Sequence, residues 1–98
     1  MLSPKLIVAI VANHFGLTRA QLVGRRRLPR IVLARHVGML LSLEMVRGAS
    51  LNGVGLSFGG RHHTSVLYAQ RRMHRQIAGD RRFAREVEAL RRIIGKAG

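Results

Sequence analysis

The stretch Ser50-Leu51-Asn52-Gly53-Val54-Gly55-Leu56-Ser57-Phe58-Gly59-Gly60-Arg61-His62-His63-Thr64-Ser65-Val66-Leu67-Tyr68-Ala69 decides how this chain is read. Ser50 is a good N-cap, because its hydroxyl can accept from a free N–H of a first helical turn. It opens a short apolar segment from Leu51 to about Ser57. Gly53 and Gly55 make that segment a poor helix on propensity alone, so packing has to hold it. Phe58-Gly59-Gly60 is a tight turn. A longer helix follows from about Arg61 to Ile77, with Val66, Ala69, Met73 and Ile77 spaced as its inner stripe. Short helix, glycine turn and longer helix together predict a helix-turn-helix over about residues 50–77. In that motif the second helix enters the major groove of duplex DNA and its first side chains face the base edges. Here the first turn, Arg61-His62-His63-Thr64-Ser65, carries a hydrogen-bonding side chain at every position. A helix N-terminus also favours phosphate, since its free N–H groups point outward.

Working outward, glycine and proline punctuate further helices, and nothing alternates with the period of a strand. Ser3-Pro4 starts a helix that runs to about His14 and stops at Gly16, with Leu6, Ile7, Ile10 and Val11 inside. Thr18 caps a short helix to about Val23. Gly24 ends it, and Arg25-Arg26-Arg27-Leu28-Pro29 forms an exposed basic loop. From Arg30 to about Arg47 the pattern is nearly apolar, with Ala34, Val37, Leu41 and Met45 as one stripe widened by Leu33, Leu40 and Leu43. Such a helix is buried on most sides and forms the spine of the fold. Asp80 caps a last helix with Phe83, Val87, Leu90 and Ile94 on one face. Arg81, Arg82, Arg85, Arg91 and Arg92 lie off that face, and Glu88 is placed to pair with Arg92.

The 98 residues fit one domain, residues 1–98, with an aliphatic core, since the chain has no Trp, one Tyr and three Phe. Eighteen Lys and Arg oppose four acids, a net charge of +14, and a surface of that sign suits a polyanion. The absence of Cys removes disulfides, thiolate catalysis and Cys-based zinc sites. No nucleophile–base pair or carboxylate dyad emerges, so the chain is read as a non-enzyme that needs no cofactor.

At Phe58-Gly59-Gly60-Arg61-His62-His63-Thr64-Ser65-Val66-Leu67-Tyr68-Ala69 the sequence resembles the signature of the DnaA DNA-binding domain, FGGRDHTTVLHA. The basic loop lies upstream at similar spacing, apart from about one extra residue near Arg47 to Ser50, and the likeness covers nearly the whole chain. The resemblance implies an all-α domain of about six helices with a Trp-repressor-like helix-turn-helix. It also implies binding to the asymmetric duplex element TTATNCACA. Carried over position by position, Arg27 is similar to an arginine that enters the minor groove, and His63, Thr64 and Ser65 match positions that read the major groove. Arg35 and Arg61 look like phosphate-binding positions, and Arg25 and Arg26 join them in the basic loop.

Two departures from the pattern matter in the signature, and a third falls in the first helix of the motif. His62 stands where the family has Asp, which accepts from cytosine N4. A neutral imidazole accepts or donates and a protonated one only donates, so the base preference there is expected to change. Ser65 replaces Thr and loses a methyl that could meet a thymine methyl. Gly53 falls where an acidic residue is usual.

No G-x-x-x-x-G-K-[ST] run is present, so the chain is expected to bind, occlude or recruit without ATPase activity. The roles that follow are a transcriptional regulator or a competitor at such boxes, in the cytoplasm on the nucleoid. The same motif in a piece of a larger initiator is the alternative. Other classes weigh less. His62-His63 as a metal pair lacks a shared helix face and a nearby acid. A membrane-surface role for the basic last helix lacks Trp and would take its apolar stripe from a small core. RNA binding lacks aromatic residues for base stacking.

Overall fold

The computed structural model describes all 98 residues as six α-helices and no strand: α1 (Pro4–Phe15), α2 (Arg19–Val23), α3 (Pro29–Met45), α4 (Leu51–Ser57), α5 (His63–Gly79) and α6 (Arg81–Ala97). Four of the starts are fixed by side-chain caps at the residues the sequence points to. Ser3 accepts from the Leu6 N–H at 3.2 Å, Ser50 from Gly53 at 3.0 Å, and Asp80 from Phe83 at 3.1 Å. Thr18 goes further and forms a capping box, accepting from the Gln21 N–H at 3.0 Å while the Gln21 amide oxygen accepts from the Thr18 N–H at 2.8 Å.

α3 is the spine, packing against every other helix. Six consecutive residues, Val37 to Ser42, are buried, which only a helix surrounded on all sides permits. Gly38 is where α3 and the helix-turn-helix approach most closely. A Cβ at that position would lie 2.8 Å from the ring of the fully buried Phe58. The inner stripes of α5 (Val66, Ala69, Met73) and α6 (Phe83, Val87, Leu90, Ile94) close the core from the other side. α1 contributes Ile7, Val8, Val11, Ala12 and Phe15, so its buried face lies one residue round from the stripe expected there, with Leu6 and Ile10 only half-buried.

Several expectations are corrected. Pro29 belongs to α3 rather than to the basic loop, because its fixed φ suits a first helical position. α3 stops at Met45, short of Arg47. α5 begins at His63, two residues later than expected, since His62 is extended and the Arg61 N–H turns back to the Gly55 carbonyl at 2.8 Å. Glu88 pairs not with Arg92 but with Arg91, at 3.7 Å, and Arg91 also grips Glu44 of α3 through two bonds of 2.9 and 3.0 Å. No helix is long and apolar enough to cross a membrane.

Candidate nucleic-acid interface

The helix-turn-helix is closed by glycine. Gly59 and Gly60 take φ of +89° and +74°, a region L side chains rarely adopt, and they swing the chain from the end of α4 to the start of α5. A Cβ on Gly55 would run into the Arg61 carbonyl oxygen, and one on Gly59 would run into the Val23 carbonyl oxygen. Gly55, suspect on propensity, is thus the residue that lets the two helices of the motif meet. Gly59 presses the turn against the end of α2, where the basic loop begins.

Two guanidinium groups fill the seam between that turn and the loop. Arg35 of α3 is 4% exposed; its Nε donates to the Leu22 carbonyl at 2.7 Å and one Nη to those of Gly24 and Arg26, at 2.9 and 3.1 Å. Arg61 donates through Nη1 to Val23 at 2.9 Å and to Phe58, and through Nη2 to Gly24. Burial, with Arg61 and Arg27 close by, pushes the Arg35 pKa down to about 10, still charged at neutral pH. Burial, with Arg25 and Arg27, also lowers that of Arg61. Arg35, expected to hold phosphate, thus has its Nε and one Nη committed to backbone carbonyls. Its other Nη makes no hydrogen bond, and the end of α2 draws both guanidinium groups because its last carbonyls have no helical partner.

Arg25, Arg26 and Arg27 are exposed, with no side-chain bond to the protein to tie them down. Between the loop and α5 lies an open cleft of about 860 Å³. Arg25 and Arg27 form one wall, Thr64, Ser65 and Tyr68 the other, and Arg61 and His36 lie between them. The structure thus brings Arg25, Arg27, Arg35, Arg61, Thr64 and Ser65 together around one concavity. Arg26, His62 and His63 are exposed and lie outside it.

His62 is the N-cap of α5. Its Nδ1 accepts from the Thr64 N–H at 3.3 Å and lies 2.8 Å from the Thr64 hydroxyl. Because His62 sits outside the helix, its ring comes within 4.2 Å of the His63 ring, and the rule that helical neighbours point apart does not govern this pair. No group of three or more His, Asp or Glu side chains is gathered anywhere.

Sequence reasoning missed three polar side chains of the cleft. Tyr68 stands one helical turn beyond Thr64, so its spacing could have revealed it. Arg72 follows one turn later and donates to His36 Nδ1 at 3.0 Å, and the His36 ring packs edge-on against Tyr68 at 5.9 Å. Burial, reinforced by Arg72, holds the His36 pKa down to about 4, so the ring is neutral. No sequence signal marks His36, which reaches the cleft only through the crossing of α3 and α5.

A six-helix domain whose glycine turn sets an exposed polar first turn beside an arginine loop is a helix-turn-helix domain of the nucleic-acid-binding kind. The family described as bacterial dnaA protein helix-turn-helix matches residues 4–73, and the chain belongs to that family. The chromosomal replication initiator proteins DnaA of Rhizobium johnstonii and Agrobacterium fabrum are each 41% identical to it over 90 residues. That alignment covers 92% of this chain and 18% of each relative. The DnaA of Corynebacterium jeikeium is 37% identical over 91 residues, covering 93% of this chain and 15% of that protein. The chain therefore spans less than a fifth of the length of these relatives.

Proposed function

We propose that this domain binds double-stranded DNA sequence-specifically at a DnaA-box-like element, one copy per asymmetric site. The arginine-walled cleft beside the first turn of α5 carries this reading. His63, Thr64 and Ser65 face the major groove, Arg27 reaches the adjacent minor groove, and Arg25 and Arg26 hold phosphate. Both reading elements belong to the same chain, so no partner copy is needed to complete the site. The chain acts by occupying DNA, as a transcriptional regulator, a competitor at such boxes or the DNA-reading part of an initiator, and performs no catalysis of its own.

The cap at His62 sharpens the base preference. With Nδ1 accepting from the helix, the proton of a neutral ring sits on Nε2, so the free edge is a donor in either charge state. A carboxylate at this place would accept from cytosine N4; His62 instead favours an acceptor edge, guanine O6 or N7.

Fluorescence anisotropy on a duplex carrying TTATCCACA, on its cytosine-to-guanine variants and on a scrambled duplex, at low and near-physiological salt, tests this. Preference for the box or a guanine-substituted box that survives the higher salt supports specific readout. Equal binding to all duplexes that collapses with salt reduces the interaction to non-specific attraction.

A further inference from the structure

We infer that Arg35 and Arg61 are positioning residues. They fix the basic loop against the helix-turn-helix turn, so that Arg27 and the first turn of α5 act as one rigid reading head. This rests on the DNA-binding reading above, but the geometry behind it is present in the protein alone. α2 is five residues long and ends without a side-chain cap. Its last carbonyls have no helical partner, and a buried carbonyl left unbonded is costly. The guanidinium of Arg35 takes Leu22, Gly24 and Arg26, and that of Arg61 takes Val23, Gly24 and Phe58. Gly24 is shared by both. The carbonyl of Arg26 is the last fixed point before Arg27, whose own side chain is free for a ligand. The turn is tied into the same network, since the Phe58 carbonyl and the Val23 carbonyl are bridged by a single nitrogen of Arg61.

Only arginine can do this. Its planar fork spreads donors along Nε and both Nη atoms, whereas lysine presents three donors from one point. A phosphate contact needs little more than the charge, so lysine largely preserves it. A clamp across several carbonyls needs the fork, and lysine does not replace it. The two roles therefore separate under a substitution that leaves net charge unchanged.

The test is a set of anisotropy titrations on the box and scrambled duplexes across a salt series, using the full chain and its Arg35→Lys, Arg61→Lys and Arg27→Ala variants, singly and as doubles with Arg27→Ala. In the parent chain Arg27→Ala is expected to weaken box binding roughly 5- to 150-fold. In the Arg35→Lys background it is expected to cost less than about twofold, because the loop no longer presents Arg27, while scrambled binding and its salt slope stay as in the parent. If Arg35→Lys binds the box like the parent and Arg27→Ala keeps its full cost, the inference is overturned.

A measurement on the unmodified protein covers a variant that does not fold. In ¹⁵N-arginine NMR the Arg35 Nε–H should exchange slowly and keep its shift when box duplex is added, while the Arg27 Nε–H exchanges fast and shifts. Fast exchange at Arg35 in the free chain sinks the clamp whatever the DNA results. Slow exchange there together with no duplex preference sinks the DNA-binding reading and leaves the clamp standing.

Discussion

Around Gly24 to Leu28, three arginines stand exposed on a loop whose backbone is gripped from behind by two more. Along α6, Arg81, Arg82, Arg85 and Arg92 stand exposed on a helix held by its apolar stripe and by the Arg91–Glu44 and His14–Glu86 contacts. Both surfaces carry the same charge. In the loop, Arg35 and Arg61 hold the carbonyls of Gly24 and Arg26, so the backbone that carries the exposed side chains is set in place. On α6 no buried guanidinium stands behind the exposed side chains, Arg85 reaching no further than the Arg81 carbonyl at 3.5 Å. Charge alone attracts a polyanion over roughly a Debye length, but discrimination between sequences requires donors held in register. On the function proposed for this domain, the first surface reads and the second attracts.

The sharpest way to break the contrast is at glycine. Gly55→Ala drives a methyl into the Arg61 carbonyl and should lower stability by about 3 kcal/mol, read by urea denaturation, with the reading head lost. Gly95→Ala in α6 meets nothing within 4 Å and should raise stability by roughly 0.5–1 kcal/mol. Next in size are the reading residues. Thr64→Ala or His63→Ala should weaken box binding by about 1–3 kcal/mol and leave scrambled DNA nearly unchanged, in the same anisotropy assay. Replacing Arg81, Arg82 and Arg85 together by Gln should instead weaken both duplexes alike, with the loss fading as salt rises.

A pH-dependent effect belongs to His36, on the seam between the cleft and the core. Its pKa lies near 4 in the folded chain, below the usual value of 6.5, so the unfolded chain binds more protons between those limits. Stability contributed by the neutral ring is thus fully present above about pH 6.5 and is lost as the pH falls toward 4. Melting temperatures across that window should show a slope that His36→Asn flattens, and an unchanged slope would remove His36 from the account.

Much of this was legible in the chain itself. Ser3, Thr18, Ser50 and Asp80 marked their helix starts because capping is a contact over three residues, and the stripes of α3, α5 and α6 followed from helical spacing. The start of α5 was not legible. Histidine is not a usual cap, and the Arg61 N–H is drawn away to Gly55 by a turn whose shape depends on two glycines. His36 was equally silent, since the cleft reaches it only where α3 crosses α5.

The sequence by itself determined six helices, the sign of the surface and membership of the DnaA helix-turn-helix family, because each rests on neighbours within a few residues or on the simple sum of charges. Only the tertiary structure decided which arginines look outward. Sixteen identical side chains offer identical donors. Whether a given one meets a carbonyl or is left for a phosphate depends on what the fold sets beside it, as when Arg61 meets Val23 and Gly24 across 38 and 37 residues of chain.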